Sequence, residues 1–216
     1  TIMNISFSEL KVRALNSLTG NWGPVIGVYL VYFLVIGALQ FTYIGNFIAG
    51  GALALGMAIF NLSVSRGNEF SLNQIFDGFK NFVNSMVTYL LSLLYILLWT
   101  LLFIIPGIIA AFSYSMIFYI LADEPELTPS ETLKKSKEMM DGYKMDFFLL
   151  NLSFIGWAIL CLFTLGIGFL WLFPYILITN AKFYEEVRRA YYGDAEFGDL
   201  DEIGRPEDPA NPQFNF

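Results

Sequence analysis

The chain has 216 residues, of which 56% are hydrophobic and only 14% are charged, whereas soluble domains carry about 25% charged residues. This composition excludes an ordinary soluble domain and indicates an integral membrane protein. The chain has no histidine and a single cysteine, Cys161, so it offers neither a zinc ligand set with histidine nor an internal disulfide.

The net charge of −7 comes almost entirely from the C-terminal tail, because residues 194–216 contain seven acidic residues and one arginine. We predict that this tail is cytoplasmic, disordered and solvating. A partner-binding motif is the alternative, since apolar residues interrupt the acids. The first 23 residues have no apolar core, so we expect no cleaved signal peptide. No nucleic-acid partner is expected.

Long uncharged stretches predict six membrane spans within a membrane domain of residues 1–193. About 20 apolar residues cross a bilayer as a helix. The uncharged stretch from Asn81 to Ala122 would be about 63 Å long as one helix, so it must fold back on itself. The predicted spans are about 24–40, 46–64, 82–105, 107–122, 147–163 and 168–183.

Proline and glycine mark two of the three outer turns, and the charges give the orientation. Pro106 and Gly107 break one uncharged stretch, and Gly166 and Gly168 break another. With six spans, every charged residue lies on the same side as the N-terminus, as the positive-inside rule predicts for cytoplasmic termini. The predicted fold is an all-α integral membrane protein with three hairpins and both termini in the cytoplasm.

An internal repeat is predicted from three joints, each of which follows an amphipathic stretch and precedes a pair of spans. Each amphipathic helix is expected to lie along the lipid headgroups with its apolar face down. Ser6 with Glu9, and Thr128 with Glu131, have the spacing of capping boxes. At each joint, which we call an elbow, a glycine is expected to turn the chain into the bilayer and an aromatic residue to anchor the span. The three elbows are Gly20 with Trp22, Gly78 with Phe79, and Gly142 with Tyr143.

Several motifs in order resemble an uncharacterised bacterial membrane family, the domain of unknown function 975. They are "GNWG" at 20–23, "PGIIA" at 106–110, "SYSM" at 113–116, "SKEMMDGYK" at 136–144, "LSFIGW" at 152–157 and "GIGFLWLFPY" at 166–175. The resemblance covers roughly residues 7 to 185. It implies a multi-pass protein of the bacterial cytoplasmic membrane, and it brings no activity and no catalytic residues. The acidic tail lies outside it.

The predicted spans contain no ionisable residue, which disfavours a carboxylate-dependent transporter. Neutral polar residues remain, and hydrogen bonds between helices, worth about 0.6 kcal/mol each, explain most of them. The alternative is a polar path for a solute or a lipid headgroup, for which the candidates are Asn84, Ser113 and Asn151.

Small residues at four-residue spacing on the second span, Gly50, Ala54 and Ala58, predict close approach of another helix. Packing inside the chain is one interpretation, and a homodimer seam is the other.

A basic cluster of Lys134, Lys135, Lys137 and Lys144 is expected to contact anionic headgroups, each charge being worth about 1 kcal/mol near the surface. The acids of "DEPE" at 123–126 are expected to form a solvated loop, because their spacing matches no calcium loop. We expect no metal, no cofactor and no enzymatic activity.

The function predicted from the sequence is therefore that of a non-enzymatic scaffold or accessory subunit at the cytoplasmic membrane. Its expected partners are membrane lipids and either another membrane protein or a second copy of the chain. A transporter, a channel or a lipid-handling protein is the alternative.

Overall fold

A computed structural model describes residues 6–40 and 43–193 of the chain, and within these ranges all regular structure is helical. The predicted disordered tail and the tip of the first outer turn lie outside the described residues. A 3-10 turn, Gly78–Asn81, joins the fourth helix to the fifth. The helices are α1 Phe7–Leu18, α2 Trp22–Gln40, α3 Tyr43–Arg66, α4 Gln74–Asp77, α5 Phe82–Leu102, α6 Ile104–Ser113, α7 Ile117–Asp123, α8 Pro129–Met139, α9 Lys144–Leu152, α10 Ile155–Phe163 and α11 Phe169–Tyr192.

Five helical stretches of the described residues are long and apolar enough to cross a membrane. The predicted all-helical class is confirmed for the described residues, and these five stretches are candidates for membrane spans by their length and composition. The sixth stretch, α11, fails the same criterion because its apolar part ends at Ala181, and Lys182 and Glu185 follow. The five stretches are Trp22–Gln40, Ile48–Arg66, Gln74–Leu102, Ile104–Asp123 and Lys144–Phe163.

Two predicted spans are interrupted helices. The span predicted at 107–122 is divided into α6 and α7 by the turn at 114–116, and the span predicted at 147–163 is divided into α9 and α10 near Ser153. Composition could not show these breaks, because an uncharged apolar sequence looks the same whether its helix is straight or kinked.

The turn between α5 and α6 lies at Phe103, which has an extended backbone, and not at Pro106 and Gly107 as predicted. Pro106 is in the first turn of α6, where a missing N–H leaves no hydrogen bond unmade. Gly107 allows close contact with α5, because a Cβ there would overlap Thr100. The turn between α10 and α11 does contain Gly166, with a φ of 85°, and Gly168, which caps α11.

Helix α3 lies at the centre of the fold and contacts α1, α2, α4, α5, α7 and α11. The closest contact is between backbones. A Cβ on Gly56 would overlap the carbonyl of Ile75, and a Cβ on Gly78 would overlap the carbonyl of Ala52. Glycine at both positions therefore lets α4 and the following 3-10 turn lie directly on α3.

The predicted small-residue stripe is therefore part of the interior of this chain. Gly50 and Ala58 are buried and Ala54 is partly buried. Ala58 packs in one apolar core with Met116 and Ile120 of the chain itself.

The three elbows do not share one conformation. Gly20 and Gly142 have φ values of 84° and 83°, which L side chains rarely adopt. Gly78 has a helical φ of −60°, so glycine is needed there for close packing and not for a turn. The second copy of the repeat also has no long amphipathic helix, because α4 is four residues long and leads through the 3-10 turn into α5.

The aromatic residues of the elbows differ in the same way. Trp22 and Tyr143 are partly buried against the two apolar cores, whereas Phe79 is exposed and stacks on Phe82 with a centroid distance of 6.1 Å.

Helix α1 buries its row of apolar side chains against the protein. Both predicted caps are confirmed, since Ser6 Oγ accepts the N–H of Glu9 and Thr128 with Glu131 forms a full capping box. The apolar stripe of α1 is completely buried, and α1 packs against α11 and α3. This differs from the expected contact with headgroups; the stripe consists of Leu10, Ala14 and Leu18.

The close contact on α3 predicts that Gly56→Ala destabilises the protein. The added methyl group would overlap backbone atoms that cannot move as a flexible side chain would, so we expect a loss of about 1–3 kcal/mol. Gly27→Ala is the matched control, because Gly27 also lies inside a helix but has no atom near its Cβ position. It should raise stability by up to about 1 kcal/mol. Thermal unfolding in detergent measures both, and equal melting temperatures would contradict the packing described here.

Candidate functional site

The ends of two helices, α3 and α7, meet a third helix, α11, at one buried carboxylate, Asp123. Helix α3 ends at Arg66 and α7 ends at Asp123. Two guanidinium nitrogens of Arg66 donate to the two oxygens of Asp123, both at 2.8 Å, in the bidentate geometry that makes arginine–carboxylate pairs strong. Because the Asp123 side chain is only 8% exposed, its partners are needed to offset the cost of taking a carboxylate out of water.

Helix α11 supplies the remaining partners of this carboxylate. The Tyr184 hydroxyl donates to Asp123 at 3.0 Å, and Arg188 lies 3.1 Å from the same oxygen. Glu185 in turn lies 3.3 Å from Nε of Arg66. Two cations and two anions thus alternate across the junction of α3, α7 and α11.

Lys182 extends the junction to the last turn of α3. Its Nζ donates to the carbonyl of Ser65 and pairs with Glu185 at 3.2 Å. A cation at the C-terminal end of a helix is favoured by the helix dipole and satisfies a carbonyl with no partner inside the helix.

Arg13 connects α1 to the same face of α11. Its guanidinium donates to Glu186 at 2.9 Å and to Glu9 at 2.8 Å, and Arg189 lies 3.6 Å from Glu186. Burial raises the pKa of Glu186, although Arg189 and Arg13 oppose that shift.

Lys135 connects α8 to the same end of the fold. Its Nζ donates to Glu124 at 2.6 Å and contacts the hydroxyl of Tyr192, which itself donates to Glu124 at 2.9 Å. Burial lowers the pKa of Lys135, but the hydrogen bonds to Glu124 and Tyr192 outweigh burial and raise it.

We call these residues the Asp123 network; by their bonds they hold α1, α3, α7 and α8 to α11. This network differs from the expectation of a solvated loop at 123–126 and of headgroup contacts for the four lysines of the basic cluster. One feature of the sequence does point to such a network. The predicted six-span topology places all charged residues on one side of the membrane, so oppositely charged side chains can form ion pairs there. The members are Glu9, Arg13, Arg66, Asp123, Glu124, Lys135, Lys182, Tyr184, Glu185, Glu186, Arg188, Arg189 and Tyr192.

The three residues proposed for a polar path have different partners. Asn84 donates to the carbonyl of Leu127 at 2.7 Å. The carbonyl of Ser113 accepts the Ser136 hydroxyl at 2.8 Å. Asn151 donates to the carbonyl of Phe147 at 2.9 Å. The first two bonds join neighbouring segments, as the structural interpretation of such residues predicts, whereas the third lies within α9.

The four lysines of the basic cluster also separate. Lys134 is 77% exposed and lies 3.8 Å from Glu138. Lys135 belongs to the Asp123 network. Lys137 and Lys144 line one cavity together with Ser113. The bond from Ser136 to Ser113 places α8 beside the end of α6, in the middle of the span predicted at 107–122.

A buried carboxylate, Asp146, lies next to the predicted start of the fifth span. Helix α9 begins at Lys144, three residues before the predicted start of the fifth span, so Asp146 is in its first turn. The Asp146 residue is 7% exposed.

Comparison with known proteins identifies a family. A family model described as "Protein of unknown function (DUF975)" matches residues 3–113 and 101–191, which together cover most of the chain. The resemblance inferred from the sequence motifs is thereby confirmed. Neither the curated proteins nor the solved structures contain a match to this chain.

We predict that Asp123→Asn destabilises the protein by about 3 kcal/mol, because it leaves two arginines near a buried site without their carboxylate. Removing one partner of a buried ion pair usually costs about 3–5 kcal/mol. We take the low end of that range because the Arg66 side chain is 32% exposed. Lys80→Gln is the control: it removes one partner of the exposed Lys80–Asp77 pair and should cost less than about 1 kcal/mol. Chemical denaturation monitored by tryptophan fluorescence compares them, and equal losses would contradict a central role for Asp123.

Alkaline pH should weaken the contact between α8 and α11. The folded state raises the pKa of Lys135. Burial raises the pKa of Tyr192, opposed by Lys135 and reinforced by Glu124. Both groups therefore hold their protons more tightly in the folded state than in the unfolded state. Their contribution to the free energy of unfolding is complete below their ordinary pKa values of about 10, and it is lost as pH rises above them.

The measurement for this prediction is the melting temperature between about pH 8 and pH 11. Lys135→Met combined with Tyr192→Phe should flatten the alkaline decline relative to the unmodified protein. Lys134→Met should leave the decline in place. The same slope in all three proteins would contradict the assignment.

Proposed function

The chain belongs to the family of proteins of unknown function DUF975, and from that premise we propose that it is a non-enzymatic scaffold or accessory subunit of the bacterial cytoplasmic membrane. It crosses the membrane six times as three hairpins, with both termini in the cytoplasm. Its partners are membrane lipids and another membrane protein or a second copy of the chain.

The Asp123 network is the observation that carries this proposal. It consists of opposite charges at hydrogen-bonding distance, contributed by five helices, and nearly all of its members belong to ion pairs within the chain. Such an arrangement fixes helix positions, which suits a protein whose role is to present a defined surface. A proton relay works differently, because its carboxylates change charge during turnover.

The position of the network supports the proposed orientation. Arg66, Asp123 and Arg188 stand at one end of the apolar helices, and cations at helix ends favour the cytoplasmic side. In α11 the apolar part Phe169–Ala181 is about 20 Å long as a helix. A stretch shorter than the hydrocarbon core is accommodated by local thinning of the bilayer, and residues 164–168 then form the outer turn.

The lysine-lined cavity beside α6 favours a second candidate function, the handling of a lipid. It is distinct from the polar path considered in the sequence analysis, because Asn84 and Asn151 do not line it.

Co-purification tests the accessory role. Protein extracted in a gentle detergent after crosslinking in the membrane should carry a membrane partner in constant stoichiometry. Asp123→Asn should reduce that yield, whereas Lys80→Gln should not. Recovery of the chain alone, together with solute flux through it in liposomes, would contradict the accessory role.

Cysteine labelling tests the topology. The native thiol is first removed by Cys161→Ala. Asn68→Cys, in the exposed loop after α3, should then react only with reagent that reaches the cytoplasmic side. Leu165→Cys, at a residue 94% exposed in the last outer turn, should react from outside. Labelling of both positions from one side would contradict six spans.

A further inference from the structure

A cavity of about 190 Å³ lies between the hairpin of α5 and α6 and the joint of α8 and α9. One wall is apolar and aromatic, formed by Trp99, Pro106 and Ile109. The other wall carries the two lysines, Lys137 and Lys144. A pocket with one apolar wall and two cations fits an amphiphilic ligand that carries an anionic group.

The positive charge of this cavity is only partly neutralised by the residues that the structure describes. Lys137 has no ion pair or hydrogen bond with any residue in the described part of the chain. The Nζ of Lys144 lies 3.5 Å from Asp141, whose side chain is 84% exposed, and exposed pairs of this kind are weak. An anion between the two ammonium groups would therefore gain charge-assisted hydrogen bonds.

The cavity is smaller than the ~300–1,000 Å³ of sites that enclose a whole drug-sized ligand. It holds a headgroup, and the rest of the molecule must lie outside it. The surface beside it is suited to acyl chains, because the hairpin presents strongly exposed apolar residues, among them Leu102, Ile105 and Ile108.

We propose that this cavity binds an anionic lipid. Its phosphate lies between Lys137 and Lys144, and its chains run along the exposed face of α5 and α6 with Trp99 at their junction. This proposal rests on the second candidate function, the handling of a lipid, and is independent of the accessory role, because none of the cavity's residues belongs to the Asp123 network.

Lys134 separates this site from general attraction to an anionic surface. It is on the same helix as Lys137 and carries the same charge, but it does not line the cavity. Its side chain is 77% exposed and pairs with Glu138. Surface attraction depends on the number of charges near the headgroups, so it would treat Lys134 and Lys137 alike. Binding in the cavity would instead depend on Lys137 and not on Lys134.

Quenching of Trp99 by brominated lipids measures occupancy of the site. The other three tryptophans are first replaced by Trp22→Phe, Trp157→Phe and Trp171→Phe. The protein is then placed in bilayers of phosphatidylcholine with increasing fractions of brominated phosphatidylglycerol, or of brominated phosphatidylcholine as the zwitterionic comparison. Phosphatidylglycerol should quench Trp99 at a mole fraction at least tenfold lower.

Lys137→Gln with Lys144→Gln should raise the required mole fraction of phosphatidylglycerol about 30-fold, which corresponds to about 1 kcal/mol for each charge. Lys134→Gln should leave it unchanged. Thermal unfolding of each variant confirms that it is folded. Ile109→Phe, which narrows the cavity without altering its charge, should also weaken the quenching of Trp99.

Three results would overturn the proposal. Equal quenching by the two brominated lipids would show no selection for an anion. An equal effect of Lys134→Gln would show surface attraction only. Displacement of the lipid by excess inorganic phosphate would show that the cavity takes a soluble anion.

Discussion

The bidentate contact between Arg66 and Asp123 joins the end of α3 to the end of α7, both bonds being 2.8 Å long. Helix α11 completes the junction through Tyr184 and Arg188. The cost of burying a carboxylate this deeply is offset only while its cationic partners stay in place. The relative positions of three helices are therefore coupled to one charged group, and α1 and α8 are attached to α11 by further pairs.

The apolar interior is arranged to suit that junction. Helix α3 is the central element because small residues on it admit other backbones, as the contacts of Gly56 with Ile75 and of Gly78 with Ala52 show. In a membrane, association of helices depends on packing and on hydrogen bonds between them, since lipid chains are as apolar as the side chains. Backbone contact in the interior and ion pairs at one end act together in holding this fold.

The lysines show how one residue type serves two purposes. Lys135 is matched by Glu124 and Tyr192, whereas Lys137, two residues later, faces a cavity with an apolar wall. One turn of a helix therefore carries both a structural cation and a cation available to a ligand. Their spacing along the chain gives no hint of the difference, because the partners come from α7, α11 and α6, which are distant in sequence.

The sequence by itself determined the helical membrane class, because apolar length and the absence of charge are local properties, and it determined the helix starts at Ser6 and Thr128, because caps depend on residues three apart. It also contained the motifs of the family. Only the tertiary structure decided that Gly78 serves packing and not a turn, that the stripe of α1 faces protein, and that Asp123 is buried among cations. The physical reason is the same in each case: the energy of a polar group or a glycine depends on what packs against it, and in this chain those neighbours are far away in sequence.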